Sequence, residues 1–333
     1  MAGDQDRLKL AVEILPNEPI SNLINEATVA EQHSFSFLWV PDHFTYRDVF
    51  ITLAILGSRT KRVRIGPGIT SPYIRHPVTL ASSIGSLDEL TGGRMVLGIG
   101  PGDRTSLDKL GLSYEKPVAK IRSSIETIRR LLSLPFEGDQ INSPEPRLSF
   151  AVRQVPIYLG AQGPNMLKLA GEIGDGVLIN ASHPQDIENA VKYVREGLSL
   201  RKDNPSLFDM GTFTLFSIDE DRTRAKKVIR PVIAYVVDHL LPEQKQQILD
   251  QDPPSRELFN ALTKRDYKEA NNKVSDFLIE KFSITGTPRG CLEKLVELQK
   301  IGINQVVIGS PLGKDRTKAI QLVGSAVIPS LLQ

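Results

Sequence analysis

The stretch that decides the fold of this chain is RIGPGITSPYIRHPVTLASSIGSLDELTGGRMVLGIGPGD, residues 64–103. A short β-branched run ends at Gly66-Pro67-Gly68, and apolar residues at helical spacing follow over residues 77–90. A second apolar run, Met95-Val96-Leu97, leads into another glycine-rich loop. Both loops leave the carboxyl end of a strand, where parallel α/β proteins bind their ligands. The stretch therefore predicts two parallel strands joined by a helix, with a ligand site at their carboxyl ends.

The same rhythm extends over the rest of the chain. Apolar runs of strand length occur near residues 10, 38, 65, 96, 158, 178, 214 and 307, and amphipathic helical patterns alternate with them. Eight strands alternating with helices predict a single (β/α)8 barrel over residues 1–333. Two segments break the rhythm, near 136–154 and 240–280, and are predicted to be insertions after the fourth and seventh strands. The second of them is expected to be helical.

Composition limits the classes of function. The chain has 333 residues with 41 basic and 39 acidic side chains, a net charge of +2, so nucleic acid is not an expected partner. Its single cysteine, Cys291, excludes an internal disulfide framework and suits a reducing cytosol. No apolar stretch approaches the roughly 18 residues of a membrane span. These features predict a soluble cytoplasmic protein with no membrane partner.

The glycines of the second loop suggest a bare backbone surface. Gly98, Gly100 and Gly102 carry no side chains that would stand between the backbone and a ligand, and Asp103 is the first ionisable residue after them. Such glycines also simply make turns, but two successive loops of this kind favour a ligand site. A Rossmann site is less favoured, because the GxGxxG spacing is missing and several βα units precede the loop.

Two earlier strands also end in polar residues. Glu13 stands near the end of the first strand, and Asp42 and His43 follow the second. A carboxylate at the end of a barrel strand lies at the mouth or on the rim, so Glu13 is either functional or a solvated, salt-bridged glutamate. Adjacent residues of an extended chain point to opposite sides, so Asp42 and His43 do not form a dyad. One of them faces the site, or the pair is a turn cap and a rim residue.

A third glycine loop follows the fifth strand. Gly160-Ala161-Gln162-Gly163 precedes Pro164, and proline suits the first turn of a helix. Backbone amides at a helix N-terminus attract anions. The segment is therefore either an anion site or an ordinary βα turn, since no Walker lysine and serine follow.

Other chemistries find little support in the sequence. The five histidines form no HExxH motif, and no GxSxG elbow occurs, so zinc chemistry and nucleophilic hydrolysis are not favoured. Strand-end carboxylates, glycine-lined walls and a possible anion site remain. Such a mouth suits a large flat organic cofactor with a phosphate tail.

A family resemblance is carried by several motifs in order. LPNEPI, VPDHF, IGPGITSPYIRHP, SLDELTGGRMVLGIGPGD, PIYLGAQGP, LKLAGEIGDGVLINAS, SIDED and GSPLG resemble the methylenetetrahydromethanopterin reductases, coenzyme F420-dependent members of the bacterial-luciferase-like superfamily. The resemblance implies a luciferase-like TIM barrel that passes a hydride between C5 of the deazaflavin and the methylene carbon of a tetrahydropterin. It also implies a homodimer or homotetramer. PNEP, GPGIT and GPGD are the combination specific to the reductases.

The resemblance also assigns the site. Asp42 and His43 would line the deazaflavin, and Gly68-Ile69 would be a non-prolyl cis peptide against its face. The implied cofactor-binding residues are Asp42, His43, Gly68, Ile69, Thr70, Gly98, Gly100, Gly160, Ala161, Gln162, Gly163, Gly176, Ile179 and Asn180.

The implied catalytic residues are Glu13 and Asp103. Glu13 would protonate the departing nitrogen as the imidazolidine ring opens, and Asp103 would position the pterin or tune Glu13. The pterin would be tetrahydromethanopterin, a sarcinapterin-like relative or tetrahydrofolate. Two other functions stay open: an F420-dependent dehydrogenase of an alcohol or sugar phosphate, and an FMN-dependent monooxygenase or flavin-binding relative.

Overall fold

Eight parallel strands form a barrel in the computed structural model, which describes residues 7–135, 145–150, 152–202 and 208–331. The strands are β1 (Lys9–Glu13), β2 (Phe37–Val40), β3 (Arg64–Pro67), β4 (Leu97–Ile99), β5 (Ile157–Ala161), β6 (Gly176–Asn180), β7 (Asp209–Ile218) and β9 (Gln305–Leu312). Their order around the sheet is β3-β2-β1-β9-β7-β6-β5-β4, and bridges from Ile65 to Met95 and from Thr70 to Ile99 join β3 to β4. The predicted (β/α)8 barrel is confirmed.

A short strand, β8 (Ser283–Gly286), lies outside this ring and pairs with β7. The sequence analysis did not predict it. Its four residues, Ser-Ile-Thr-Gly, carry too little apolar pattern to identify a strand without the neighbour that pairs with them.

Helices cover the outside of the barrel. They are α1 (Ile20–Gln32), α2 (Val49–Arg59), α3 (Pro77–Thr91), α4 (Arg104–Lys109), α5 (Pro117–Ser133), α6 (Pro164–Ile173), α7 (Pro184–Leu198), α8 (Arg222–Asp238), α9 (Pro242–Gln251), α10 (Ser255–Thr263), α11 (Tyr267–Asn272), α12 (Asp276–Phe282), α13 (Pro288–Ile301), α14 (Arg316–Ala326) and α15 (Ile328–Leu331). Among the residues described, every helix falls short of the length and apolar character that crossing a bilayer requires.

Helix α3, in the stretch that decides the fold, shows why these segments are helical. The His76 side chain accepts a hydrogen bond from the backbone amide of Val78, and Pro77 occupies the first turn, where its missing N–H is not needed. Gly92, in the left-handed conformation (φ 68°), ends the helix. The buried side chains of α3 pack against the sheet, and the helix joins the neighbouring strands β3 and β4.

The barrel interior is filled by a separate small cluster around Trp39. Its indole stacks on Phe37 with ring centroids 5.8 Å apart, and Tyr158 meets it edge-on at 5.3 Å. The Trp39 indole N–H donates to the Gln305 side chain over 3.0 Å. Ala11 belongs to the same cluster, so the alternate residue Glu13 points to the interior as well.

The predicted helical segment after the seventh strand consists of α9, α10, α11 and α12. With α8 these helices form their own apolar cluster, which includes Ile233, Leu258 and Leu278. The predicted insertion at 136–154 lies partly outside the described residues, at 136–144 and 151. Residues 145–150 and 152–154 contain no helix or strand, and Leu148 and Val152 pack against the main core.

Candidate active site

A cavity of about 590 Å³ opens at the carboxyl ends of the strands. Its volume falls in the range of about 300–1,000 Å³ that is usual for small-molecule sites. A cavity of about 560 Å³ between α8, α12 and α13 is mostly charged, and none of the predicted site residues lines it. The mouth cavity is lined by Glu13, Gly68, Ile69, Pro101, Gly102, Asp103, Arg104, Gly160, Ala161, Gln162, Gly163, Met166, Leu178, Asn180 and Phe213.

The barrel brings most of the predicted site residues to this cavity, although they come from strands far apart in the sequence. Those that line it are Glu13, Gly68, Ile69, Asp103, Gly160, Ala161, Gln162, Gly163 and Asn180. The predicted residues outside its lining are Asp42, His43, Thr70, Gly98, Gly100, Gly176 and Ile179.

Glu13 is largely buried, with 8% of its surface exposed, and one of its oxygens is held by two donors. The Ser310 backbone N–H donates to Glu13 Oε2 over 2.7 Å, and the Ser310 hydroxyl donates to the same oxygen over 2.6 Å. Burial, followed by the charge of Glu13, raises the pKa of Tyr46. The contact between Ser310 and Glu13 was not predicted from the sequence.

Arg316 lies behind Ser310. Its Nη1 donates to the Ser310 hydroxyl oxygen over 3.0 Å and its Nη2 donates to the Glu13 backbone carbonyl over 2.6 Å. Its Nε donates to the buried carboxylate of Glu26, 3.1 Å away. Burial raises the pKa of Glu26, although the adjacent guanidinium acts in the opposite direction. The end of β1 and the start of α14 are therefore joined through one arginine.

Asp103 is the cap of a helix. Its oxygens accept hydrogen bonds from the backbone amides of Thr105 and Ser106, at 3.2 and 2.9 Å, and from the Ser106 hydroxyl at 2.7 Å. Partial burial acts to raise its pKa, but these hydrogen bonds, with a smaller contribution from His239, lower the pKa of Asp103 overall. The residue is an ionised, exposed carboxylate at the cavity edge that also begins α4.

Asp42 is engaged by its neighbours. Its carboxylate accepts two hydrogen bonds from Arg75, at 2.8 and 3.1 Å, and one from the Thr70 hydroxyl at 2.7 Å. The hydrogen bond to Asp42 is the chief cause of a raised pKa of Arg75. His43 stacks on Phe44 with ring centroids 4.6 Å apart. Neither Asp42 nor His43 lines the cavity.

Gly98 and Gly100 allow close packing inside the barrel. The sequence had predicted instead that their backbone forms a bare surface facing a ligand. A Cβ on Gly98 would lie 2.2 Å from the Pro67 carbonyl oxygen, and one on Gly100 would lie 2.3 Å from Ile69 Cδ1. Both glycines therefore make room for the β3 loop, and Ile69 covers Gly100. Of the three glycines Gly98, Gly100 and Gly102, only Gly102 lines the cavity.

The prediction for Ile179 does not agree with its position. Ile179 is 1% exposed and packs in the main core between sheet and helices, whereas its neighbours Leu178 and Asn180 line the cavity. Gly176 lies deeper, where a Cβ would meet the Tyr158 ring at 2.4 Å. Strand alternation explains the difference, because Leu178 and Asn180 share one face of β6 and Ile179 occupies the other.

The third glycine loop has the predicted local structure. Pro164 is the first residue of α6, and Gly163 caps the helix without a side-chain hydrogen bond. A Cβ on Gly163 would meet no atom within 4 Å, so this position opens to the cavity. The peptide bond between Gly68 and Ile69 is cis, as the family resemblance implied. Further lining residues that sequence reasoning missed are Pro101, Arg104, Met166, Leu178 and Phe213.

The barrel and its mouth define a class of protein. Residues 6–305 match the family described as luciferase-like monooxygenase, and the chain belongs to it. The 5,10-methylenetetrahydromethanopterin reductases of Methanolobus tindarius and Archaeoglobus fulgidus are 39% and 40% identical over 326 and 331 residues. These alignments cover 96% and 97% of this chain and 100% of each relative.

A solved structure gives the same result. The coenzyme F420 dependent tetrahydromethanopterin reductase from Methanopyrus kandleri superposes with a TM-score of 0.87 at 35% identity, covering 98% of this chain and 99% of that chain. Within the luciferase-like family, the chain therefore belongs to the 5,10-methylenetetrahydromethanopterin reductases, and it is an enzyme. The resemblance inferred from the sequence motifs is confirmed.

Proposed function

We propose that this enzyme reduces a 5,10-methylene-tetrahydropterin, tetrahydromethanopterin or a close relative, to the 5-methyl form. The relatives named above are 5,10-methylenetetrahydromethanopterin reductases, and the structural relative is coenzyme F420 dependent. When bound, reduced coenzyme F420 supplies a hydride from C5 of its deazaflavin ring. The protein has to hold that ring against the pterin and deliver one proton.

The residues of the mouth fit a flat cofactor with a polar tail. Ile69, Leu178 and Phe213 provide apolar surface, and the open position at Gly163 leaves backbone free to approach a ligand. Helix α6 begins directly after Gly163, and its N-terminal amides suit an anionic tail of the cofactor. We assign cofactor binding to these groups, with Asp42 supporting them through Thr70.

Glu13 carries the proposed chemistry. It is a buried carboxyl group on the inner face of the barrel, and it lines the cavity. Opening of the imidazolidine ring requires a proton on the departing nitrogen, which makes the methylene carbon electrophilic toward hydride. A general acid placed at that nitrogen contributes about 10²–10⁴-fold to the rate. The burial of Glu13 at the mouth is the single observation on which the proposal rests.

The direct test is an assay of coenzyme F420 oxidation with purified enzyme, reduced F420 and methylene-tetrahydromethanopterin. We expect F420 oxidation only when the pterin is present. Glu13→Gln keeps the size and hydrogen-bonding capacity of the side chain and removes its proton. We expect this variant to bind F420 normally and to turn over at least about a hundredfold more slowly.

Other outcomes separate the alternatives. Binding of F420 without pterin turnover would refute the proposed substrate and direct attention to alcohols and sugar phosphates. Purification with bound FMN, together with oxygen consumption, would support a flavin monooxygenase instead. Tetrahydrofolate and sarcinapterin substrates in the same assay identify the pterin. A cytoplasmic homodimer or homotetramer remains part of this proposal, and analytical ultracentrifugation measures the number of subunits.

A further inference from the structure

We propose that Ser310 and Arg316 are positioning residues that decide which oxygen of Glu13 carries its proton. This inference rests on the proposed role of Glu13 as proton donor. It concerns Ser310, near the carboxyl end of β9, and Arg316, the first residue of α14, both far from Glu13 in the sequence. Neither touches the reacting atoms in our proposal, and both act through Glu13.

The direction of each hydrogen bond follows from the chemistry of the donors. An arginine side chain can only donate, so Arg316 Nη1 donates its hydrogen to Ser310 Oγ across 3.0 Å. The single hydroxyl hydrogen of Ser310 is then directed to Glu13 Oε2, 2.6 Å away. The Ser310 backbone N–H donates to the same oxygen from 2.7 Å. Glu13 Oε2 therefore accepts two hydrogen bonds.

When Glu13 carries a proton, the oxygen that already accepts two hydrogen bonds is the carbonyl-like oxygen of its carboxyl group. The proton then belongs on Oε1, which has no hydrogen-bond partner in the part of the chain that the structure describes. Because Glu13 lines the cavity, a proton on Oε1 is available to a substrate nitrogen there. Arg316 strengthens the arrangement because it also holds the Glu13 backbone carbonyl over 2.6 Å.

The first test measures turnover of Ser310→Ala and Ser310→Thr. We expect Ser310→Ala to lower kcat by about ten- to a hundredfold, the scale of a small misplacement of a catalytic group, with the KM for F420 unchanged. Ser310→Thr keeps the hydroxyl and is expected to retain most of the activity. Ser217→Ala removes a buried hydroxyl that donates to the Ala225 carbonyl, and it serves as the matched control with wild-type kcat.

The second test repeats Ser310→Ala in the Glu13→Gln background. A residue that acts through Glu13 has nothing left to position once the acid is gone, so we expect no further loss of kcat. An equal fold-loss in both backgrounds would show that Ser310 acts independently and would overturn the proposal. Wild-type kcat in Ser310→Ala would overturn it as well.

Arg316 requires a paired variant. Removing it alone would leave the buried Glu26 carboxylate without its partner, which endangers folding. Glu26→Gln combined with Arg316→Met removes both charges, and Glu26→Gln alone is the control. We expect the double variant to lose kcat as Ser310→Ala does, and the control to keep it. If the double variant and Glu26→Gln have equal kcat, Arg316 does not help to position Glu13.

A crystal structure of Ser310→Ala supplies a readout that does not depend on activity. We expect the Glu13 carboxylate to leave its wild-type position or to occupy several rotamers. An unchanged, single position would overturn the positioning role. If the wild-type enzyme does not reduce methylene-pterins, the proposed function fails, and this structural measurement still decides whether Ser310 positions Glu13.

Discussion

Arg75 binds both carboxylate oxygens of Asp42, with its Nε 2.8 Å from one oxygen and its Nη2 3.1 Å from the other. Only 7% of the Asp42 side chain is exposed, and the Thr70 hydroxyl donates to the same carboxylate. The planar guanidinium matches a carboxylate in a way that a lysine ammonium does not. This pair fixes the loop after β2 against the loop after β3, beside the proposed cofactor site.

We predict that Arg75→Lys weakens F420 binding about tenfold, which corresponds to about 1.4 kcal/mol and to loss of one charge-assisted hydrogen bond. The kcat is expected to change little, because Glu13 is untouched. Isothermal titration of F420 measures the Kd. Arg153→Lys alters a similar pair with Asp88 that does not line the cavity, and it is expected to bind F420 normally. Equal affinities of wild type and Arg75→Lys would contradict this prediction.

A glycine inside the barrel, Gly98, gives a second prediction. In Gly98→Ala the new methyl group would lie 2.2 Å from the Pro67 carbonyl oxygen, so strands β3 and β4 must move apart there. We expect a loss of unfolding free energy of about 1–3 kcal/mol, typical of overpacking, measured by urea denaturation.

Gly163→Ala adds the same methyl group as Gly98→Ala, but at a position where no protein atom is in the way. Its methyl group meets no protein atom within 4 Å, and its backbone (φ −82°, ψ 154°) is one that alanine adopts easily. We expect unchanged stability but a raised Kd for F420, because the methyl group projects where we assign the cofactor. If Gly163→Ala binds F420 as wild type does, that assignment is wrong.

The single cysteine gives a third prediction. Cys291 is 1% exposed, and burial raises the pKa of its thiol to about 12. Only the thiolate reacts with disulfide reagents, so we expect no labelling of the folded protein at pH 8. Denaturant should release one reactive thiol per chain. Rapid labelling without denaturant would show that α13 opens readily in solution.

The fold was predictable because its signal is local and repeated. Each barrel strand is a short apolar run, and helical spacing such as that of Pro77–Thr91 lies between runs. It was harder to predict which side chains of each strand point into the barrel. Strands of a parallel barrel are buried on both sides, so the run Val177-Leu178-Ile179 shows no alternation that marks an inner face. For this reason Ile179 was assigned to the site instead of Leu178.

The site was predictable where one loop supplies its own signal. A helix start at the mouth is predicted by the sequence of Gly160–Gly163 and Pro164. A carboxyl group at a strand end is predicted by the position of Glu13. The Ser310 contact gives no such signal, because it joins residues 297 positions apart. One clue was available: Glu13 ends β1 and Ser310 lies near the carboxyl end of β9, which pairs with β1, so both residues lie at the same edge of the barrel.

Asp103 gives the last prediction, which separates a structural from a chemical role. Its carboxylate accepts from the amides of Thr105 and Ser106, so it caps α4, and a good cap contributes about 0.5–2 kcal/mol. Asp103→Ala removes the cap, and we expect it to lower stability by that amount. Asp103→Asn keeps an accepting oxygen but loses the charge, so we expect a smaller loss of stability than in Asp103→Ala and a kcat within about threefold of wild type, or about 0.7 kcal/mol.

The pH dependence of stability provides the check. The pKa of Asp103 is lowered in the folded protein from its ordinary value of 3.8, mainly because hydrogen bonds from Ser106 and Thr105 outweigh partial burial. A lowered pKa means that the folded state favours the ionised form, so its contribution is complete above pH 3.8 and is lost as the pH falls through the folded pKa. Asparagine has no proton to gain, so the stability difference between wild type and Asp103→Asn should shrink in that acid range. A large loss of kcat in folded Asp103→Asn at neutral pH would instead assign the Asp103 charge to the pterin or to Glu13.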